Sequence, residues 1–398
     1  MAPVPAPFSA AHPGESRIRA LEGLRGLLAL WVTVSHVICL CGLDESVPAY
    51  VRKSFWQWLA YAGPAVDVFI ILSGFAIFKM LRNSSYSYGP FLLNRTFRIF
   101  PVYLTCLALA FMTSGLSQSL YATAPWHLTA YFQRAPAGLG AALAHWPAQL
   151  GCQRTLFQGL APSTWPPPDG IVDFLPPAWS ATLEWQFYLI APALVPLCSG
   201  RAGSWLLAAL LAFALCGSLL LSSAGFTYGG FLGLKLWLFL LGMASGLLHE
   251  RLPYTTRFQR RLMGSAALVG AVIITLTLHN PDAMLWVIVF AGVTTKDNRA
   301  AGLSRTVLTY GPLLWIGRIS YSLYLVHWPL LTIGIWLLLQ SHPAVSSPVA
   351  AAWLFCVGMP AIIGLAGGLH AWVEAPLMRL GRRFVARSDS LRPAPASP

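Results

Sequence analysis

Charge is what this chain has least of. Only 10% of its 398 residues are Asp, Glu, Lys or Arg, against about 25% in soluble domains, and just 13 are acidic. So little charge cannot cover a water-soluble surface of this size, so a soluble globular enzyme is excluded and an integral membrane protein implied. Metal-ligand clusters are lacking as well. The seven cysteines are scattered, and the nearest pair, Cys39 and Cys41, has no ligand partner close by; no metal site is expected, and the thiols are small apolar side chains of helices. No basic n-region precedes an apolar core, so a cleavable signal peptide is not expected. Residues 1–16, rich in Pro and Ala, are expected to form a disordered cytoplasmic tail.

What the chain has in quantity is apolar surface: 56% hydrophobic residues, with 16 Trp and 13 Tyr of the kind that populate membrane–water interfaces. A spanning helix needs about 20 mostly apolar residues. That window selects 20–41, 62–81, 99–116, 178–197, 204–222, 229–248, 262–279, 282–294, 313–338 and 349–372. The expected fold is all-α, a polytopic membrane bundle of about ten transmembrane helices. Alternating the connections leaves only Arg52, Lys53, Arg134 and Arg154 on one side, with Lys235 inside a helix and the other Lys and Arg opposite. Such asymmetry is the positive-inside pattern, and it predicts a multi-pass cell-membrane protein with both termini cytoplasmic. It also accounts for the net charge of +13 without a nucleic-acid partner. The transmembrane domain is expected over 17–380, a basic cytoplasmic tail over 381–398, and a long outer connection over 117–177. Its Pro, Trp and Gly content (WHLTAYFQ, STWPPPDG) suits a lid or partner-binding cap.

Ionisable groups inside membrane helices cost about 2.5–3.5 kcal/mol or more at the bilayer centre, so each is a functional candidate. Here they are Arg25, His36, Asp67, Glu184, Lys235 and His327. Arg25 and His36 lie eleven residues apart, almost three whole turns, so they share a helix face about 16 Å from end to end. Depths counted along the helices bring His36, Asp67, Glu184 and His327 to the outer half of one cavity, where a carboxylate can orient an imidazole as a base. At the inner mouth, FLLNRTFRIFP presents Arg95 and Arg98 on one face, where with Arg25 they can hold phosphates through charge-assisted bonds.

Six segments in order, RALEGLRGLLALWVTVSHV, GPAVDVFIILSGFAIF, FLLNRTFRIFPVY, PPAWSATLEWQFYLIAPAL, IGRISYSLYLVHWPLL and VEAPLMR, resemble the membrane acyltransferase-3 family over roughly residues 17–380. The resemblance implies an enzyme that moves an acyl group, usually acetyl, from cytoplasmic acyl-CoA to a hydroxyl, most often on a sugar of a surface or exported glycan. The family's paired arginine and histidine fall on Arg25 and His36, and its arginine motif falls on Arg95 and Arg98. Its Ser-Gly-Phe segment falls on Ser73, Gly74 and Phe75, its glutamate motif on Glu184, and its Ser-Tyr…His motif on Ser320, Tyr321 and His327. VEAP carries Ala375 where the family often has arginine, so an inner-side contact of Glu374 is in question. The extra hydrolase-like domain of some members is not expected.

Together these readings assign His36 as general base and Glu184 as the residue that orients it or holds the acceptor. Arg25, Arg95 and Arg98 bind the donor, Tyr188 or Ser73 steadies the oxyanion, and Asp67, Ser320, Tyr321 and His327 support them. Acyl-CoA is a co-substrate rather than a tightly bound cofactor, and the remaining partners are the lipid bilayer and a glycan or lipid-linked saccharide. Alternatives are a proton-coupled transporter of a small polar solute, although no internal repeat pairs the two halves, and an acyltransferase for a small molecule such as a macrolide. The other large group of membrane-bound O-acyltransferases also uses an embedded histidine, but the motif order fits it less well.

Overall fold

A computed structural model describes residues 13–43, 57–83, 87–160, 174–198, 202–226, 228–278, 281–294 and 299–390. Among them every regular element is a helix, as apolar surroundings require of a spanning segment: only a helix or a closed barrel satisfies its own backbone polar groups in lipid. In chain order these are α1 (Pro13–Leu40), α2 (Gln57–Ala60), α3 (Gly63–Arg82), α4 (Tyr88–Met112), α5 (Ser114–Thr123), α6 (Ala130–Ala144) and α7 (Trp146–Gln153). Then follow α8 (Trp179–Leu197), α9 (Gly203–Ser223), α10 (Leu232–Arg251), α11 (Arg257–Leu278), α12 (Asp282–Thr294), α13 (Arg299–Leu308) and α14 (Gly311–Ser341). The last three, α15 (Ser347–Trp353), α16 (Met359–Leu369) and α17 (Ala375–Ser390), are joined into one rod by π-helical turns over Leu354–Gly358 and His370–Glu374. Pro64, Pro312 and Pro348 stand in the first turns of α3, α14 and α15, where the missing N–H costs nothing.

All ten expected segments are helical. Seven helices are long and apolar enough to cross a bilayer: α1 from Arg19, α3, α4, α9, α10, α14 and the terminal rod over Ser347–Ala386. Two shorter apolar helices run over Leu262–Thr277 and Asp282–Val293. Lipid-facing surface is plain on α9, where Trp205, Phe213 and Leu220 are 81%, 75% and 69% exposed.

The structure departs from the expected boundaries at four places. α1 starts at Pro13, inside the expected tail, because proline is well suited to a first helical position; residues 1–12 lie outside the described residues. α4 begins at Tyr88 rather than near 99, since the arginine segment continues through Pro101, which removes one backbone hydrogen bond but not the helix. The connection expected over 117–177 is folded where it is described, into the end of α5, α6 and α7, while residues 161–173, with STWPPPDG, lie outside the described residues. Trp126 Nε1 donates to the Leu40 carbonyl (2.9 Å) and Tyr103 donates to the Gln153 carbonyl (2.7 Å), which ties this region to the end of α1 and to the middle of α4. The expected basic tail is helical as far as Ser390.

Two close helix pairs position the site. α1 and α14 run parallel. A Cβ on Gly26 would meet the Leu313 carbonyl and the Gly317 amide, and one on Gly317 would meet the Glu22 carbonyl. Glycine here lets two backbones touch, as small residues do between membrane helices. α3 and α10 pair in the same way, with Gly74 against the Phe239 carbonyl and Gly242 against the Ile71 carbonyl. Gly74 of the Ser-Gly-Phe segment is therefore a packing residue.

Candidate active site

Parallel packing of α1 on α14 fixes a register. Arg25 lies beside Gly26, level with the start of α14, and eleven residues further along α1 His36 meets His327. His36 Nδ1 is 2.8 Å from His327 Nε2, and His327 Nδ1 is 3.1 Å from the Leu323 carbonyl. Trp328 sets its edge against the His36 ring at 5.2 Å, and His327 is fully buried. The group bonded to His36 Nδ1 is thus a second imidazole and not the carboxylate expected from the sequence.

Glu184, on α8, accepts a hydrogen bond from the Tyr188 hydroxyl, one turn on (3.2 Å). Ser73 reaches the same hydroxyl from α3. Tyr188 therefore commits its proton to Glu184, which makes it a less available oxyanion donor than the sequence suggested. Asp67 is elsewhere: Lys235 Nζ lies 2.6 and 2.9 Å from its two carboxylate oxygens, so the intramembrane lysine neutralises it.

A cavity of about 310 Å³ opens at the Arg25 end of the α1–α14 pair. Five arginines line it, Arg25, Arg98, Arg318, Arg379 and Arg382, against two glutamates, Glu22 and Glu374. Arg25 Nε is buried with no hydrogen-bond partner. An orphaned donor on a half-buried guanidinium, within a cluster of like charge, is a group that can bond an anion. Glu374 offsets part of this charge while Ser322 and His370 hold its Oε2 at 2.7 and 2.9 Å, which leaves five guanidiniums against two carboxylates in the lining. Glu374 is therefore held from α14 and from its own π-helical turn, where VEAP carries Ala375.

A second, smaller cavity shares Arg25, Ser320 and Tyr321 with the first and adds Glu184, Ser180 and Tyr324. Tyr324 accepts a hydrogen bond from Ser180 (3.0 Å), and its ring is 6.1 Å from that of His327. The two cavities and the paired histidines therefore lie in sequence along α14. Tyr321 donates to the Ile99 carbonyl (2.9 Å), which holds α4 against this wall.

Of the expected site residues, Arg25, Arg98, Glu184, Ser320 and Tyr321 line these cavities, and His36 and His327 meet beyond them. Arg95 lies outside both linings. Its guanidinium sits 5.7 Å from the Phe91 and Tyr188 ring centres and donates to Met80 Sδ. Arg318, Arg379, Arg382 and His370 were missed as site residues. The spacing of four in Glu374, Met378 and Arg382 places those three on one helical face and was the available signal.

A family model described as an acyltransferase domain matches residues 18–369. Among relatives, Nodulation protein 10 of Rhizobium leguminosarum bv. viciae is 24% identical over 360 residues, 84% of this chain and 87% of its own. Acyltransferase MdmB of Streptomyces mycarofaciens is 26% identical over 415 residues, 97% of each chain. No solved structure matches.

Proposed function

The chain belongs to the acyltransferase-3 family, and from that premise we propose that this multi-pass membrane acyltransferase takes its acyl group, acetyl in the simplest case, from acyl-CoA. The acceptor is a hydroxyl of a carbohydrate, on an exported glycan or a lipid-linked saccharide. Arg25 and Arg98 hold the phosphates of the donor in the basic cavity, with Arg318, Arg379 and Arg382 around them. With CoA as a soluble substrate, that cavity faces the cytoplasm, in keeping with the positive-inside pattern, ten crossings and two cytoplasmic termini.

The pantetheine arm then runs past Ser320, Tyr321 and Tyr324 toward the histidines, over a span of about 16 Å at 1.5 Å per residue. His36 removes the proton of the acceptor hydroxyl as its oxygen attacks the thioester carbon. The C–S bond breaks, and the sulfur leaves as the thiol with that proton returned by His36. Glu184, at the neck between cavity and histidines, orders the acceptor or the acyl end through Tyr188. One observation carries the reading: a basic cavity and a paired histidine occupy two ends of one helix pair, and a second cavity that shares Arg25, Ser320 and Tyr321 with the first extends to Tyr324, whose ring is 6.1 Å from that of His327.

The test is purified protein with radiolabelled acetyl-CoA and a panel of acceptors. Transfer is expected, with loss of about 10²–10⁴-fold in His36→Ala; full activity in that variant sinks the role of His36. Mass spectrometry of surface glycans and of secreted small molecules from a deletion strain locates the missing acyl mass. Loss from a small molecule alone would overturn the carbohydrate acceptor.

A further inference from the structure

The paired histidines carry more information than their proximity. A neutral imidazole bears one N–H and one lone pair, and which nitrogen holds which follows from its partners. His327 Nδ1 faces the Leu323 carbonyl at 3.1 Å, and a carbonyl oxygen has only lone pairs to offer. The hydrogen is therefore on His327 Nδ1, which leaves His327 Nε2 with a lone pair. That nitrogen lies 2.8 Å from His36 Nδ1, so the hydrogen between the two rings belongs to His36 Nδ1. The ring planes differ by only 16° with centroids 5.0 Å apart. Ring N–H bonds and lone pairs lie in the ring plane, so this edge-to-edge alignment suits an N–H···N bond.

We propose that His327 is a positioning residue that fixes the tautomer of His36 through the Leu323 backbone carbonyl, leaving His36 Nε2 as the basic atom. This rests on the reading of His36 as general base. When Nε2 takes the proton of the acceptor hydroxyl, His36 becomes an imidazolium whose Nδ1–H still donates to neutral His327, now as a stronger, charge-assisted bond. No proton moves between the rings. The Nε2 proton passes to the departing sulfur as the C–S bond breaks, and the pair returns to its starting tautomers. A carboxylate would place a full negative charge in this buried pocket before the reaction, whereas a second imidazole oriented by a carbonyl carries no charge. The Trp328 edge against His36 helps to keep the ring from turning.

The tautomer is measured directly by ¹⁵N solid-state NMR of ¹⁵N-histidine-labelled protein in lipid, with the His36 signals assigned by their absence in His36→Ala. The expected result is Nδ1–H with an unprotonated Nε2; an Nε2–H tautomer overturns the proposal whatever the activity. In kinetics, His327→Gln keeps an oxygen that can accept from Nδ1–H, and His327→Leu does not. The leucine variant is expected to lose on the order of 10²-fold in kcat with the donor KM unchanged, and the glutamine variant to recover at least tenfold of it. Equal loss in both, in variants that stay monodisperse, counts against positioning by hydrogen bond. Failure of the base reading appears separately, as an active His36→Ala.

Discussion

Lys235 Nζ lies within hydrogen-bonding distance of both carboxylate oxygens of Asp67, at 2.6 and 2.9 Å, and joins α10 to α3 inside the bundle. Asp67 is 2% exposed, so water reaches its carboxylate little and the lysine is a close counter-charge. Removing one partner of a buried pair strands the other and costs about 3–5 kcal/mol, whereas replacing both with neutral groups of similar volume is often tolerated. Lys235→Met is accordingly expected to lower the melting temperature sharply in detergent, and Asp67→Asn/Lys235→Met together to recover most of it. A single variant that melts like the wild type would remove the pair from the bundle's supports.

Gly317 touches the Glu22 carbonyl across the α1–α14 seam. A side chain there meets backbone, which cannot rotate away, so the helices must separate. Gly317→Leu is expected to destabilise by about 1–3 kcal/mol and to weaken the His36–His327 bond, seen as a loss of kcat beyond the change in stability. Retention of full kcat would show that the seam does not set the register of the histidines.

The arginines of the basic cavity differ in depth. Arg25 is half-buried, while Arg318, Arg379 and Arg382 are exposed. Arg379→Ala/Arg382→Ala is expected to raise the acyl-CoA KM several-fold at low salt, with kcat preserved and the effect shrinking as salt is added. Arg25→Ala is expected to weaken the donor more and to resist salt. An acyl-CoA KM unmoved by either change would place the donor phosphates elsewhere.

Glu184 accepts from Tyr188. Tyr188→Phe takes away that donor and leaves the carboxylate less well held. It is expected to lower kcat by about tenfold with the donor KM unchanged, since one hydrogen bond to a charged group contributes about 1.5–3 kcal/mol. Steady-state kinetics decides it, and an unchanged kcat would take Glu184 out of the acceptor side of the reaction.

The helices were legible because apolar length is all a bilayer asks of a span: the ten segments are helical, and seven helices are long and apolar enough to cross. The shared face of Arg25 and His36 was legible for a similar reason, since it needs only the pitch of one helix. What crosses between helices was not. Nothing in α3 says that Asp67 meets a lysine from α10, or that the partner of His36 is an imidazole and not Glu184. Arg318, Arg379 and Arg382 were hidden differently. Topology already demands positive charge on that side, so an arginine that lines a cavity has the same address as one that only orients the chain. The connection expected over 117–177 was masked by composition: Pro, Gly and Trp mark loops on average, yet Gly138, Gly140, Trp146 and Pro147 sit within α6 and α7.

The terminal rod has a consequence for how the enzyme finds its donor. Its 40-residue span over Ser347–Ala386 is about 60 Å long at 1.5 Å per residue, twice the ~30 Å core of a bilayer, and its end packs on α4 through Phe384 and Phe97. Arg379 and Arg382 are on that end and line the cavity. If that cavity receives the donor, as proposed, two of the charges that a dissolved anion meets there are carried by the end of the rod. The rate of donor capture is then expected to fall as the ionic strength around that end rises.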